Sequence, residues 1–418
     1  KKMKKNSFFH KRAIILILLV VLLVMSAFLF YLLIKKDQFA PGKDSSTEDT
    51  NTGDDSGDQK RSTEVSGGEE LEKKIQAQIS EMSLEEKIYQ LFFVTPESLT
   101  GVDMVTQAGD ATKTALEQYP VGGIIYFSQN IENEEQITTM TSNSQSYSKI
   151  PLFIGVDEEG GSLVARIANN PNFQVSTFPD MKEIGASGDP SKAYEVGSSI
   201  GSYLKKYGFN MDFAPDADVL INPENTAIGS RSFGSDPQLV SQMVAEEVRG
   251  LEEQNVTAVL KHFPGHGSTA EDSHNGAAVV NRSLDELRSA ELLPFEAGIQ
   301  AGADVIMVGH LQVPQVIPDD TPASLSSVMI TDILRNELGF DGLVITDSLS
   351  MGAVTEYYTS AEAAVMCIQA GGDMLLIPED FHQAYQGVLD AVNNQTLSEE
   401  RINESLTRIL RVKYKNLS

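Results

Sequence analysis

The segment AVLKHFPGHG, residues 258–267, contains the pattern on which the fold assignment depends. It begins with a short apolar run, passes into the polar side chains of Lys261 and His262, and ends in a loop rich in Gly and Pro. Such a run, bounded by turn residues, is typical of a strand that is buried on both faces of a parallel sheet. The segment therefore predicts a parallel strand whose carboxyl end bears reactive side chains.

Similar apolar runs recur along the chain, and amphipathic helical patterns separate them. The predicted strands are Leu91–Val94, Gly123–Phe127, Leu152–Val156, Met211–Ala214, Ala258–His262, Asp304–Val308, Leu343–Thr346 and Met374–Ile377. The clearest predicted helices are Pro190–Tyr207, Pro237–Glu253, Ser283–Ala301, Val328–Leu338, Ala361–Ala370 and Ser398–Val412. Strands that alternate with helices form a parallel sheet with right-handed crossovers. Eight such units predict an α/β fold, a TIM-like (β/α)8 barrel, over residues 69–418.

An open, doubly wound sheet is the alternative arrangement of the same elements. That fold usually carries a glycine-rich dinucleotide-binding loop where the first strand meets its helix. No such loop opens a predicted helix in this chain. We therefore favour the barrel.

The amino-terminal segment differs in composition from the predicted barrel. Residues 13–34 are uncharged and almost entirely apolar. The segment is long enough to cross a bilayer, and it is longer than the apolar core of a cleavable signal peptide. Residues 1–36 hold eight Lys or Arg and no acid, so the positive-inside rule places the amino terminus in the cytoplasm. We therefore expect residues 1–36 to be a basic tail and a transmembrane anchor, with the remaining chain outside the cell membrane.

Residues 37–68 are rich in Ser, Thr, Gly, Asp and Glu and have almost no large apolar side chains. Such a segment cannot bury enough surface to offset the loss of chain entropy, so we expect a flexible, disordered linker. The net charge of the chain is −27, which disfavours binding to nucleic acid. Cys367 is the single cysteine, so the fold cannot depend on an internal disulfide, and its apolar neighbours indicate buried packing.

Four predicted strands run directly into polar residues. They lead to Asp157, to Lys261 with His262, to His310 and to Asp347. In a (β/α)8 barrel the carboxyl ends of all the strands meet at one face, where active sites lie. One polar strand end would mean little, but four of them predict a site on that face.

The densest polar segment is KHFPGHGSTAEDSH, Lys261 to His274, which holds three of the six histidines of the chain. Asp272 and His274 lie two positions apart, and a carboxylate beside an imidazole fixes its tautomer and favours its protonated form. Such a pair can exchange protons with a reacting group. From spacing alone, three readings remain open, namely proton transfer without metal, metal binding and a structural role.

This histidine segment resembles the signature of family 3 glycoside hydrolases, in particular their β-N-acetylglucosaminidase (β-hexosaminidase) branch. The resemblance extends from about Met82 to the carboxyl terminus. Its other motifs are MSLEEK at residues 82–87, VDEEGG at 156–161, IGSRSF at 228–233 and GFDGLVITDS at 339–348. It implies a single-domain barrel that needs neither metal nor another cofactor.

The resemblance also implies roles for individual residues. Asp347 would be the nucleophile that forms a covalent glycosyl–enzyme intermediate, and His274, paired with Asp272, would be the general acid/base. The residues implied in binding the hydroxyl groups of the terminal sugar are Asp157, Arg166, Arg231, Lys261 and His262. Arg166 lies nine residues after Asp157, whereas the family pattern has eight, so we expect one extra residue in that loop. His266 and His310 are expected to shape the pocket.

The expected activity is exo-acting, retaining hydrolysis of terminal β-linked N-acetylglucosamine. Only 71 residues follow Asp347, and the last strand and helices occupy them, so we expect a barrel loop to supply the acid/base. Peptidoglycan fragments are the first expected substrate and chitin-type oligosaccharides the second. The alternatives are a phosphorylase, because a neutral histidine would not repel phosphate, or a β-glucosidase. We expect a monomer whose partners are its glycan and the membrane.

Overall fold

The computed structural model describes residues 56–270, 272–273 and 276–416. The chain divides into two compact units, Lys1–Thr63 and Glu64–Ser418, and of the first unit only residues 56–63 are described. The predicted membrane span, residues 13–34, lies outside the described residues. Among the helices that are described, none combines the length and the apolar character needed to cross a membrane.

Eight parallel strands form the central sheet of the second unit. They are β1 Phe92–Val94, β2 Gly123–Ile125, β3 Phe153–Val156, β4 Met211–Asp212, β5 Thr257–Phe263, β6 Val305–Val308, β7 Leu343–Thr346 and β8 Leu375–Leu376. Each strand from β1 to β7 pairs with its neighbours in chain order, and β8 pairs with β1. A parallel bridge between Ile345 and Met374 connects β7 with the start of β8. The sheet is therefore a nearly closed TIM-like barrel, and all eight predicted strands are confirmed.

Aromatic rings fill part of the space enclosed by the strands. The ring of Phe93 stacks on Phe153 with centroids 6.3 Å apart and meets Phe213 edge-on at 5.4 Å. A Cβ atom at Gly123 would lie 2.7 Å from the Phe93 ring, and one at Gly155 would lie 2.8 Å from it. Both positions therefore require glycine, because any larger residue would displace the ring that packs the core.

Helices connect the strands in succession around the sheet. Their bounds are Ser56–Glu81, Leu84–Tyr89, Pro96–Thr100, Asp110–Gln118, Glu134–Tyr147, Met181–Ala186, Ser191–Lys206, Pro237–Glu253, Leu284–Ser289, Leu292–Ala301, Gly352–Thr355, Ser360–Ala370, Phe381–Asn393 and Glu399–Asn416. Val328–Glu337 is π-helical. The single helix predicted over Ser283–Ala301 is two helices, because Pro294 has no N–H to bond the carbonyl of Ala290 and so favours a break there.

The helix Ser56–Glu81 begins inside the segment that we expected to be a disordered linker. For residues 56–68 that expectation differs from the structure. The later part of the helix is fixed by burial of Ile75 and Ile79, and once a helix exists each further residue adds a backbone hydrogen bond at little cost. Packing of the later turns therefore favours extension of the helix toward Ser56, which local composition does not reveal.

Asp373, two residues before β8, is the centre of an ion cluster at the amino ends of the strands. Its carboxylate is buried and lies 2.5 Å from Arg335 Nη2, 3.3 Å from Arg408 Nη1 and 3.5 Å from Arg401 Nη2. It also accepts hydrogen bonds from the Val344 N–H at 3.0 Å and the Ser405 hydroxyl at 2.8 Å. The cluster therefore ties the last helices to the sheet, at the end opposite to the predicted site.

The first and last helices of the barrel unit contact each other. Arg411 Nη2 lies 2.8 Å from a carboxylate oxygen of Glu72. The hydroxyl of Tyr414 bonds Gln78 Oε1 at 3.3 Å, and the ammonium of Lys74 lies 3.9 Å from the centre of the Tyr414 ring. These contacts place the first and last helices of the barrel unit side by side.

Candidate active site

A cavity of about 500 Å³ opens where the carboxyl ends of the strands meet. Its charged, histidine and serine side chains come from β5 and from the segments that follow β3, β4 and β7. They are Asp157, Glu159, Arg166, Arg231, Lys261, His262, Asp347, Ser348 and Ser350. Thr95, Gln129 and apolar side chains, Phe127, Phe213, Met307 and Met351 among them, form the rest. Six of the eight predicted site residues therefore lie in one cavity.

Lys261 is a buried cation held between two carboxylates. Its Nζ lies 2.8 Å from Asp157 Oδ1 and 2.6 Å from Glu159 Oε1. Burial alone would lower the pKa of Lys261, but the charges of Asp157 and Glu159 outweigh it and raise that pKa above its usual range. Lys261 is therefore a permanently charged donor in the cavity wall.

Arg231 makes a two-pronged ion pair with the same Glu159. Its Nε lies 2.8 Å from Oε2 and its Nη2 lies 2.7 Å from Oε1, while its Nη1 donates to the Ala227 carbonyl at 2.9 Å. Burial would raise the pKa of Glu159, but Arg231 and Lys261 hold it well below the usual range of a carboxyl. Glu159 is therefore ionised and bridges two cations of the cavity.

Arg166 also lies in the cavity wall, despite its shifted spacing. It follows a small antiparallel hairpin of Glu158–Gly160 with Val164–Ala165, in which the pairing register shifts. Gly160 and Gly161 have positive φ angles of 83° and 69°, which favour glycine in the turn of this hairpin, and the extra residue inferred from spacing stays a prediction. Arg166 Nη2 lies 3.9 Å from Asp157 Oδ2, which places a second cation, besides Lys261, near that carboxylate.

A buried aspartate, Asp218, orients the ring of His262. Its Nδ1 lies 2.7 Å from Asp218 Oδ2, and its Nε2 lies 3.4 Å from Arg231 Nη2. Because a guanidinium only donates, the neutral ring has its proton on Nδ1 and its lone pair on Nε2. Burial would raise the pKa of Asp218, but the neighbouring His262 and His266 lower it. Asp218 therefore fixes the orientation and tautomer of His262.

Asp347 follows β7 and lines the same cavity as these cations. Its backbone N–H donates to the Val308 carbonyl at 2.9 Å, and its Oδ1 accepts from the Ser348 N–H at 2.7 Å. His310 supports the same turn, because its Nε2–H donates to the Ser348 carbonyl at 2.9 Å while its Nδ1 contacts the Ser324 hydroxyl at 2.7 Å. The ring of His310 is buried, and its expected role in shaping the pocket stays a prediction.

The predicted acid/base pair lies on the loop after β5. Asp272 is half-buried, whereas His274 lies outside the described residues. His266 is buried on the same loop, with Nδ1 2.9 Å from the Thr269 hydroxyl and Nε2 3.1 Å from the Ser273 hydroxyl. Burial lowers the pKa of His266, so the neutral ring is favoured and can exchange one hydrogen bond with each hydroxyl.

Asp216, Asp218 and His262 have potential metal-ligating atoms that all lie within 4.8 Å of one another. The guanidinium of Arg231 lies 3.6 Å from Asp216 Oδ2, and burial together with Asp218 raises the pKa of Asp216. Arg231 thus already supplies positive charge beside these three residues. The metal site that the sequence left open is a different one, formed by histidines of the segment 261–274.

Two side chains that contact the predicted site residues, Glu159 and Asp218, are not among the residues that the sequence analysis predicts for the site. A signal for Glu159 existed, since it alternates with Asp157 along the chain and so points to the same face of an extended segment. Asp218 carried no comparable signal, because its contact with His262 spans 44 residues.

A parallel barrel with charged and ionisable side chains converging at the carboxyl ends of its strands defines the class of (β/α)8-barrel enzymes. Within that class, residues 83–412 match the N-terminal domain of glycosyl hydrolase family 3. The chain belongs to this family.

Relatives of known name agree with this assignment. The chain is 36% identical over 298 residues to a β-hexosaminidase of Stenotrophomonas maltophilia, and the match covers 69% of this chain and 85% of that protein. It is 34% identical over 329 residues to β-hexosaminidase A of Pseudoalteromonas piscicida, covering 72% of this chain but only 54% of the relative. The chain therefore spans about half the length of that second relative.

Two solved structures support the same family assignment. The family 3 β-N-acetylglucosaminidase of Paenibacillus sp. str. FPU-7 superposes with a TM-score of 0.75 at 38% identity, over 80% of this chain and 63% of that one. A family 3 glycosyl hydrolase of Mycobacterium smegmatis gives a TM-score of 0.70 at 32% identity, over 80% of this chain and 98% of that one. The second superposition accounts for almost the whole of the relative.

Proposed function

We propose that this protein is an exo-acting, retaining β-N-acetylglucosaminidase that removes terminal β-linked N-acetylglucosamine. The observation that carries the proposal is the cavity in which Asp347 lies with the charged donors Lys261 and Arg231. A cavity of about 500 Å³ suits a single sugar unit better than an internal stretch of a polymer. The names of the relatives, β-hexosaminidase and β-N-acetylglucosaminidase, support the same substrate class.

In this proposal Asp347 is the nucleophile. Its carboxylate attacks the anomeric carbon, the bond to the leaving oxygen breaks, and an ester between sugar and Asp347 forms. The Ser348 N–H bonds one carboxylate oxygen of Asp347 at 2.7 Å, which orients the other oxygen for attack. Asp157, Arg166, Arg231, Lys261 and His262 bind the hydroxyl groups of the sugar and hold its anomeric carbon in place.

His274, paired with Asp272, is proposed to protonate the leaving oxygen as the first bond breaks. In the second step the neutral imidazole takes a proton from water, and that water displaces Asp347 and releases the sugar with its configuration retained. Ser273, which lies between the two residues in sequence, contacts the buried His266 at 3.1 Å. That contact supports a position for Asp272 near the cavity.

The setting of the enzyme belongs to the same proposal. Residues 13–34 would anchor the chain in the cell membrane with the barrel outside, where cell-wall glycan is within reach. Peptidoglycan fragments that end in N-acetylglucosamine are the proposed substrate. Protease accessibility of the barrel on intact cells tests this orientation.

The activity is tested with p-nitrophenyl β-N-acetylglucosaminide and the full chain. Asp347→Ala should abolish turnover, and azide should restore part of it as a glycosyl azide. His274→Ala should slow substrates with poor leaving groups far more than activated ones, since only the former need protonation. Asp341→Asn, at an exposed carboxylate outside the cavity, is the control.

Unchanged turnover in Asp347→Ala would overturn the nucleophile assignment. No turnover by the wild-type chain would overturn the substrate assignment. A sugar 1-phosphate released only when phosphate is present would replace hydrolysis by phosphorolysis.

A further inference from the structure

We infer that Glu159 is the positioning residue that aims Lys261 and Arg231 at the sugar. The inference rests on the proposed function, because it concerns how the same cavity binds its substrate. Glu159 comes from the hairpin after β3, whereas Lys261 lies in β5 and Arg231 in the segment after β4. One carboxylate thus connects three separate parts of the barrel rim.

The hydrogen bonds of Glu159 leave it little capacity to bind a ligand itself. Its Oε1 accepts from Lys261 at 2.6 Å and from Arg231 at 2.7 Å, and its Oε2 accepts from Arg231 at 2.8 Å. Its side chain is 2% exposed. Both oxygens are therefore engaged by cations, and the side chain acts on a sugar only through them.

A count of donors shows what this arrangement leaves for the substrate. An ammonium has three N–H groups, and Lys261 directs two of them at Asp157 and Glu159. A guanidinium has five, and the contacts of Arg231 with Glu159, Ala227 and His262 engage four of them within the described residues. Among the described contacts each cation therefore has one N–H that is not engaged. Both side chains line the cavity, so Glu159 governs how these N–H groups can face it.

Loss of the Glu159 charge would leave the two buried cations without their shared partner. Lys261 would retain the Asp157 carboxylate. Arg231 would retain the Ala227 carbonyl, His262 and, 3.6 Å away, the carboxylate of Asp216. A glutamine at this position offers one acceptor oxygen, and its NH₂ group would face a cation. Both cations would therefore turn toward other partners, and their remaining N–H groups would no longer point at the sugar.

The test is the kinetics of Glu159→Gln in the full chain with p-nitrophenyl β-N-acetylglucosaminide. Because the cations bind the sugar in both the ground state and the transition state, KM should rise about 10- to 100-fold while kcat falls by less than about fivefold. Unfolding of part of the sample would lower the apparent kcat and leave KM unchanged. A KM within about twofold of wild type would therefore overturn the inference.

Glu252→Gln is the matched control. Glu252 is partly buried, but its Oε1 accepts from the Ala258 N–H at 3.0 Å and the side chain does not line the cavity. This variant should keep the wild-type KM.

A double-mutant cycle with Lys261→Met separates positioning from a general effect. If Glu159 acts through Lys261 and Arg231, the double variant should lose much less binding than the product of the two single losses. Fully multiplicative losses would count against the inference. If the wild-type chain does not hydrolyse the substrate at all, the proposed function fails instead, so the two failures are distinguishable.

Discussion

The ion cluster around Asp373 allows a quantitative prediction about stability. Replacement of Asp373 by Asn keeps the shape of the side chain but removes the negative charge that three arginines share. Loss of one partner of a buried ion pair costs about 3–5 kcal/mol, because the remaining charges are left uncompensated. Asp373 is completely buried, so solvent cannot replace the lost interaction.

That free energy converts into a shift of the unfolding midpoint. The entropy of unfolding is about 2.1 cal/mol/K per residue, which gives roughly 0.7 kcal/mol/K for the unit Glu64–Ser418. Asp373→Asn should therefore lower Tm by about 4–7 °C, measured by scanning calorimetry on the full chain. Because Asp373 lies at the amino ends of the strands, activity at 25 °C should stay within about twofold of wild type.

Asp341→Asn is the control for this prediction. Asp341 pairs with Arg408 at 3.4 Å and Arg411 at 3.6 Å, but its side chain is 79% exposed. A surface pair of this kind contributes little, so Tm should change by no more than about 1 °C. A Tm loss below about 2 °C for Asp373→Asn would refute the reasoning about the cluster. A large loss of activity well below Tm would refute the separation of the two barrel faces.

Three further predictions follow from other buried positions. Burial raises the pKa of the Glu252 carboxyl to about 7, so its contribution to stability is complete below the unfolded pKa of about 4.3 and declines as pH rises through 7. Glu252→Gln should therefore raise Tm at pH 8 but not at pH 5, and an equal effect at both would contradict this assignment. Burial also raises the pKa of the Cys367 thiol to about 12, so a thiol reagent such as DTNB should react only after denaturation. A rapid reaction of the native protein would show that Cys367 is accessible. A Cβ at residue 267 would lie 2.0 Å from the Val219 carbonyl oxygen, so Gly267→Ala should displace the histidine loop and reduce kcat, whereas Gly109→Ala, with open space around it, should be silent.

The barrel could be predicted from sequence because its strands are buried on both faces. Such strands are continuous apolar runs, and the run of residues 343–346 coincides with β7. Other bounds differ by one or two residues at a strand end; for example, the prediction of Gly123–Phe127 compares with a β2 of Gly123–Ile125. Pairing decides where a strand ends, and the composition of the run does not. For the same reason helix Ser56–Glu81, which extends from a packed segment, was not predicted.

The candidate site was predictable to the extent that its residues end strands. Asp157, Lys261, His262 and Asp347 all follow or complete apolar runs, so barrel geometry alone brings them to one face. Which side chains contact each other within the site could not be predicted in this way. The contacts of Glu159 with Arg231 and of Asp218 with His262 join residues 72 and 44 positions apart, and no local pattern specifies them. The placement of His274 stays a prediction, as does the membrane anchor.

The contact between the first and last helices means that the order of the strands along the chain is not essential to the barrel. Arg411 with Glu72 and Tyr414 with Gln78 hold the two helices side by side. A linker that runs back along the pair, from the end of the last helix to the start of the first, could join them covalently, and new termini could be cut in the exposed segment that contains Val102 and Met104. The permuted polypeptide would begin near β2 and end with β1, with every strand between the same neighbours and the catalytic cavity unchanged.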